Sequence, residues 1–98
     1  MSLPIVLRPE AQADLATARD WYEQQRPGMG DTFIDAVDEV HGRIAAMPEL
    51  HPLVLRGVRR TKLRGFPYLT YYRVLSDRVE VIAVLHGSRD PSVWQDRA

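Results

Sequence analysis

The chain of 98 residues contains no cysteine and no long apolar run. Without cysteine it has no disulfide bond, thiolate metal site or cysteine nucleophile, which is typical of a reducing cytoplasm. No stretch approaches the ~20 apolar residues of a membrane-spanning helix, and the first residues, Met-Ser-Leu, lack the basic and apolar regions of a signal peptide. The three histidines, His41, His51 and His86, do not have the spacing of metal ligands. We therefore expect a cytoplasmic protein with no cofactor and no metal site.

The chain also lacks an excess of charge of either sign, since 13 basic residues balance 13 acidic ones. This neutrality argues against a protein that binds nucleic acid in bulk. The charges are unevenly distributed, however: residues 1–50 hold four basic and nine acidic residues, whereas residues 51–98 hold nine and four. Five of the basic residues cluster between 56 and 64. The cluster predicts either a surface for an anionic partner or a charged edge strand that resists aggregation.

The spacing of apolar residues predicts an α+β fold in one domain that spans residues 1–98. Steps of three and four residues indicate helices, and alternation indicates strands. A Pro-Gly loop separates the two helices, and Asp31 is the expected N-cap of the second. The architecture is an N-terminal strand, an antiparallel helical hairpin packed on an antiparallel β-meander, and a short C-terminal helical turn. The predicted elements are a strand at 3–7, helices at 10–25 and 31–47, and strands at 58–64, 68–75 and 78–86.

Three large aromatic residues have predicted places in this fold. Trp21 and Phe33 are expected in the core between the helices and the sheet, and Trp94 is expected to anchor the C-terminal turn. The last strand is apolar on both faces and should be central in the sheet. Strict alternation along it places His86 on the face opposite Val79.

Two groups of polar residues could carry chemistry. Alternation places Arg60, Lys62 and Arg64 on one face of their strand, where a row of cations would suit phosphate groups. His86 and Arg89 follow the last strand, and if the strands are neighbours they could face the same surface. His86 could then act as acid or base and Arg89 could stabilise phosphate charge. The structural alternatives are a hydrogen-bonded His86 and an Arg89 paired with Asp90.

An ordered set of short motifs resembles the ParE branch of the RelE/ParE superfamily, the toxins and plasmid stabilisation proteins of bacterial type II toxin-antitoxin systems. The resemblance covers nearly the whole chain and implies a helical hairpin on an antiparallel sheet. It also implies a cognate antitoxin that wraps the toxin and neutralises it. The motifs are Ala13-Asp14-Leu15, Trp21-Tyr22, Phe33 with Pro48, Val58-Arg59-Arg60, Phe66-Pro67-Tyr68, Tyr72-Arg73-Val74, Val84-Leu85-His86, Arg89-Asp90-Pro91 and Trp94.

The resemblance also bears on the target. ParE-like members poison DNA gyrase, whereas RelE-like members cut mRNA on the ribosome. Three basic positions of the RelE-like nucleases fall on Arg60, Lys62 and Arg89. Their other catalytic arginine falls on Leu69, and their C-terminal tyrosine falls near Trp94 or Gln95, neither of which has a hydroxyl, so two catalytic roles are missing. The resemblance therefore favours a gyrase-inhibiting binding protein over an enzyme.

Two alternatives stay open. Other nuclease branches use a C-terminal histidine, so His86 is compatible with a ribosome-dependent endoribonuclease whose catalytic candidates are Arg60, Lys62, His86 and Arg89. A non-toxic module that only binds an antitoxin is the third hypothesis. We expect the antitoxin in a groove between the helices and the sheet, bordered by the basic strand and filled by apolar and acidic residues. The predicted partner-binding residues are Arg59, Arg60, Lys62, Arg64, Tyr72, Arg89 and Trp94.

Overall fold

The computed structural model describes residues 2–98 and confirms the predicted α+β architecture. It also contains one strand that was not predicted, β2. Three residues are too few for an alternating pattern to be recognised. The elements in chain order are β1 (Ile5–Leu7), α1 (Pro9–Gln25), α2 (Met29–Ala46), β2 (Leu53–Leu55), β3 (Val58–Lys62), β4 (Tyr68–Val74), β5 (Val79–His86) and α3 (Ser92–Gln95).

The five strands form one sheet in the order β1-β5-β4-β3-β2. All neighbours pair antiparallel except β1 and β5, which are parallel. The predicted central position of β5 is confirmed, since it lies between β1 and β4. Both edge strands have only three residues, which limits pairing with the sheet of another molecule.

Helix α2 begins at Met29, two residues before the predicted N-cap at Asp31. Its N-terminus is capped from the other helix: the Glu23 carboxylate of α1 accepts hydrogen bonds from the N–H groups of Gly28 (3.1 Å) and Gly30 (3.0 Å). These two donors hold the pKa of the Glu23 carboxyl below its usual value. Gly28 has φ 89°, a conformation that glycine adopts without strain. Asp31 therefore lies inside the first turn, where its charge complements the helix dipole.

Both helices cover one face of the sheet, called here the helix face. An aromatic cluster joins the two layers, with ring centroids 5.2 Å apart for Tyr22 and Phe33 and 5.3 Å for Phe33 and Phe66. The predicted core position of Phe33 is confirmed by its complete burial. The same prediction for Trp21 is wrong, because its side chain is 53% exposed. Neighbouring residues on a helix point about 100° apart, and Tyr22 occupies the inward direction.

A second apolar cluster covers the opposite, outer face of the sheet. Trp94 of α3 stacks on Tyr71 at a centroid distance of 4.8 Å and is almost fully buried. Ile82 and Leu85 of β5 belong to the same cluster. The predicted anchoring role of Trp94 is confirmed.

Strands β4 and β5 pair with a β-bulge at their centre. Tyr72 lies opposite Val81, but the preceding residue, Tyr71, lies opposite Ala83, so Ile82 is an extra residue in β5. An extra residue reverses the face to which every later side chain of the strand points. The alternation predicted from the sequence therefore holds as far as Ile82 and is wrong from Ala83 onward.

Where β1 no longer pairs with β5, an ion pair binds the backbone of β5 instead. Strand β1 pairs with β5 only as far as Val81. Beyond it, the Asp14 carboxylate of α1 accepts a hydrogen bond from the Val84 N–H (3.0 Å), and Arg97 donates one to the carbonyl of Ile82 (3.1 Å). Asp14 and Arg97 also bind each other at 2.7 and 3.2 Å. The pair thus supplies two hydrogen bonds that a neighbouring strand would otherwise provide.

One buried polar contact joins the layers. The His41 Nε2 atom of α2 lies 3.0 Å from the Thr70 hydroxyl of β4, and both residues are buried. Burial lowers the pKa of His41 to about 4, so the imidazole is neutral at physiological pH.

The layers differ in charge. Helices α1 and α2 together contain eight acidic and two basic residues, whereas residues 53–86 contain two acidic and seven basic ones. The opposite charges of the two halves of the sequence thus become opposite charges of the helix layer and the sheet layer.

Candidate functional site

A cleft of about 230 Å³ opens between α1 and the end of β5, beside the loop that follows His86. We call it the Arg89 cleft. The residues that line it are Ala13, Asp14, Thr17, Ala18, Tyr68, Val84, Leu85, His86 and Arg89.

His86 lies on the helix face at the end of β5, opposite Tyr68 of β4, and their rings are 5.4 Å apart. Its orientation is fixed by Ser88, whose N–H donates to His86 Nδ1 at 3.0 Å and whose hydroxyl lies 2.8 Å from the same atom. Because Nδ1 accepts a hydrogen bond, the proton of the neutral imidazole is on Nε2. His86 therefore has the hydrogen bond expected of a structural residue and still offers a donor to the cleft.

Arg89 forms no ion pair and no side-chain hydrogen bond within residues 2–98. The alternative in which it pairs with Asp90 is wrong, because Asp90 instead accepts a hydrogen bond from the Ser92 N–H (2.9 Å), which lowers the pKa of the Asp90 carboxyl. Burial raises the pKa of Tyr68, and the charge of Arg89 partly opposes this effect. Both side chains line the cleft.

A second, more apolar pocket adjoins the cleft and has a volume of about 390 Å³. We call it the Trp21 pocket. The exposed Trp21 forms part of its wall, so an aromatic side chain faces solvent beside a polar cleft. The lining residues are Thr17, Ala18, Trp21, Tyr22, Pro67, Tyr68 and His86, four of which also line the Arg89 cleft.

The cations of β3 lie elsewhere. Arg60 is opposite Tyr71 and Lys62 is opposite Leu69, so both point to the outer face. The prediction that these two residues share one face of the strand is confirmed. Neither forms an ion pair within the described part of the chain. Arg64 does not continue the row, because β3 ends at Lys62 and Arg64 contacts Glu39 of α2 at 3.4 Å. The predicted row of three cations is therefore a pair.

Arg59 points to the helix face and stabilises a loop. Its guanidinium donates to the carbonyls of Glu49 (3.0 Å) and His51 (2.7 Å). It thus holds the segment that leads from α2 into β2.

The structure does not bring the four catalytic candidates together. His86 and Arg89 line a cleft on the helix face, whereas Arg60 and Lys62 lie on the outer face, and β4 separates their strands. The bulge at Ile82 causes the separation. With strict alternation from Val81 onward, His86 would point to the outer face.

Two of the predicted partner-binding residues have almost no accessible surface. Tyr72 is fully buried and its hydroxyl donates to the carbonyl of Pro48 at 2.7 Å. Burial raises its pKa to about 12. Trp94 is 5% exposed beneath its stack with Tyr71. A partner could contact either side chain only after local opening of the core.

Comparison with known proteins identifies the family. The family model described as ParE toxin of type II toxin-antitoxin system, parDE, matches residues 5–91. The chain belongs to the ParE toxin family. Toxin ParE2 of Mycobacterium tuberculosis, in the strains CDC 1551 and H37Rv, is 30% identical over 80 residues, which cover 81% of this chain and 76% of ParE2.

A solved structure described as "Chromosomal ParDE TA system from P. aeruginosa" has the same fold, with a TM-score of 0.77 at 18% sequence identity. The match covers 87% of this chain and 96% of the other. Residues 2–98 of this ParE family member contain no cluster of three or more His, Asp or Glu side chains placed to bind a metal. In the same residues, no helix combines the length and apolar character needed to cross a membrane.

Sequence reasoning assigned no site role to Thr17, which lines both adjoining pockets, or to Trp21, which lines the more apolar one. One signal was available for Trp21. It stands one position off the apolar stripe that ends at Tyr22, so it points away from the core. No comparable signal marks Thr17.

Proposed function

We propose that this ParE family member inhibits DNA gyrase in the cytoplasm by binding it, and that a cognate antitoxin neutralises it. Its membership in the ParE toxin family supports a toxin-antitoxin function. The name of its relative, Toxin ParE2, and the similar structure from a ParDE system agree with a toxin that has an antitoxin partner.

The position of His86 is the observation that favours binding over catalysis. A general acid or base must be within hydrogen-bond reach of the reacting group, directly or through one water. His86 is on the helix face, whereas Arg60 and Lys62, which could hold a phosphate, are on the outer face. A single phosphodiester could not contact all three.

We place the proposed antitoxin groove at the Arg89 cleft and the adjoining Trp21 pocket. No residue of β3 lines the Arg89 cleft or the Trp21 pocket, so the groove is bordered by Arg89 rather than by the basic strand. Arg60, Lys62 and Arg64 remain proposed contact residues on other parts of the surface. We propose that Arg59 supports partner binding indirectly, by holding the loop before β2.

Expression and supercoiling assays test this function. The protein is produced from an inducible promoter in a host without the antitoxin, and growth and plasmid supercoiling are followed after induction. We expect growth arrest, a DNA damage response, and inhibition of purified gyrase by the purified protein. Growth arrest with normal supercoiling and fully active gyrase would contradict gyrase as the target. Unimpaired growth at high protein levels would instead support the non-toxic antitoxin-binding module.

A ribosome-dependent endoribonuclease is the second candidate, with the ribosome and its mRNA as targets. It is favoured by one observation: Arg60 and Lys62 lie on the same exposed face and form no ion pair within residues 2–98, as a phosphate-binding pair would. This activity predicts mRNA cleavage in a translating extract, and its loss in the double variant Arg60→Gln/Lys62→Gln. Intact mRNA at a concentration that arrests growth would exclude it.

A further inference from the structure

The Arg89 cleft contains several hydrogen-bond donors that the protein itself leaves free. Arg89 has no side-chain partner within residues 2–98, and the Nε2–H of His86 points away from Ser88, which occupies Nδ1. Thr17 and Tyr68, whose hydroxyls form no hydrogen bond within residues 2–98, line the same space. One carboxylate also lines it, that of Asp14, but Arg97 and the Val84 N–H neutralise and occupy it. An anion is thus the ligand that these groups complement.

The adjoining Trp21 pocket indicates what kind of ligand would contain the anionic group. Its walls are mainly aromatic and aliphatic, and it shares Thr17 and Tyr68 with the cleft. A ligand that fills both spaces needs an anionic group and an apolar group close together. A peptide with an acidic residue beside an apolar residue has this chemistry.

A nucleic acid fits less well. Its binding draws on several cations that neutralise successive phosphates. The cleft has one arginine, and Arg60 and Lys62 lie on the opposite face of the sheet.

We propose that the Arg89 cleft is a binding site for the carboxylate of an Asp or Glu side chain in the antitoxin, and that the Trp21 pocket receives a neighbouring apolar side chain of the same segment. Arg89 and the Nε2–H of His86 bind the carboxylate oxygens. Only the assignment of the segment to an antitoxin rests on the proposed function.

A nuclear magnetic resonance titration of the purified, ¹⁵N-labelled protein tests the site without any assay of toxicity or gyrase. The two probes are the peptides acetyl-Leu-Glu-Leu-amide and acetyl-Leu-Gln-Leu-amide, which differ only in charge and the terminal atom of one side chain. We expect the glutamate peptide to shift the amide signals of Thr17, Tyr68, His86 and Arg89. The glutamine peptide should bind at least about tenfold more weakly.

Variants locate the contact. Arg89→Gln should abolish the preference for the glutamate peptide. The matched control Arg78→Gln, before the start of β5 and at the end of the strand away from the cleft, should keep it. The spectra of both variants report whether they are folded. Equal binding of the two peptides, a preference that survives Arg89→Gln, or shifts that map to Arg60 and Lys62 would each overturn the proposal. Tighter binding of a single-stranded oligonucleotide in the cleft would also overturn it. If the peptide preference holds while gyrase is unaffected, the site stands and the proposed target fails.

Discussion

Asp14 of α1 and Arg97 near the C-terminus bind each other through two contacts, of 2.7 and 3.2 Å, across 83 positions of the sequence. Their side chains are only 11% and 17% exposed. Each also binds a backbone group of β5 that no strand reaches. The pair therefore holds together α1, the central strand and the C-terminal segment.

We expect the variant Asp14→Ala to lose about 2–3 kcal/mol of unfolding free energy. The substitution leaves the Arg97 charge and the Val84 N–H without their partner in a largely buried position. Urea denaturation measures the change. The control is Asp77→Ala, whose ion pair with Arg78 is exposed and should change stability by less than about 0.5 kcal/mol. Equal losses in the two variants would contradict the structural role of the Asp14 pair.

Two glycines of α2 should respond to alanine with opposite signs. At Gly42 an added Cβ meets no atom within 4 Å, so Gly42→Ala should stabilise the helix by about 1 kcal/mol. At Gly30 the Cβ would lie 2.9 Å from the capping oxygen of Glu23 and 3.1 Å from the carbonyl oxygen of Arg19. Gly30→Ala should therefore destabilise the protein by about 1 kcal/mol, because overpacking and the displaced cap exceed the gain in helix propensity. Thermal unfolding of the two variants checks the difference in sign.

The stability of the protein should fall in mild acid because of His41. Its folded-state pKa is about 4 and its ordinary value is 6.5, so the unfolded chain takes up a proton first. The free energy of unfolding is thus highest above pH 6.5 and decreases by about 3 kcal/mol as the pH is lowered to about 4.

Histidine variants separate this contribution from that of the carboxyl groups. His41→Gln can still bind Thr70 and should flatten the curve between pH 6.5 and 4. Partial burial, with the charges of Arg43 and Arg59, also lowers the pKa of His51, so His51→Gln is the comparison. Because His51 is less buried, its substitution should remove a smaller part of the slope. A larger effect at His51 would refute the assignment to His41.

The two tryptophans should have separable roles. Trp94→Ala removes a buried ring stacked on Tyr71 and should cost about 3–5 kcal/mol of unfolding free energy. Trp21→Ala removes a half-exposed ring and should cost much less. Trp21→Ala should instead weaken binding of acetyl-Leu-Glu-Leu-amide, measured by the same titration. A variant at Trp21 that unfolds as readily as the one at Trp94 would show that Trp21 serves the core.

Sequence reasoning predicted the two long helices from apolar steps of three and four residues, and the three long strands from the change to a period of two. It predicted the central place of β5 because that strand is apolar on both faces. It could not predict the bulge. Ile82 is flanked by apolar residues on both sides, so a shift of one position leaves the pattern of the strand unchanged. Which face of the sheet His86 occupies depends on that shift. Periodicity therefore could not predict whether His86 and Lys62 lie on the same face.

The start of α2 was missed for a different reason. Local rules search for a capping side chain beside the helix, and Asp31 fits them. The observed cap comes from Glu23, in the preceding helix, and it needs the close helix contact that Gly30 permits. Caps supplied through tertiary packing leave no local signature in the sequence.

Because the helix and sheet layers carry opposite charges, the electrostatic field that a partner meets depends on the side from which it approaches this neutral protein. Its shortest dimension is 22 Å, whereas salt screens charges over about 8 Å at physiological ionic strength. A molecule that approaches Arg60 and Lys62 therefore meets a positive surface, and one that approaches the helices meets a negative surface. This field orients an incoming molecule before contact is made, so two partners of opposite charge are directed to different sides of the protein.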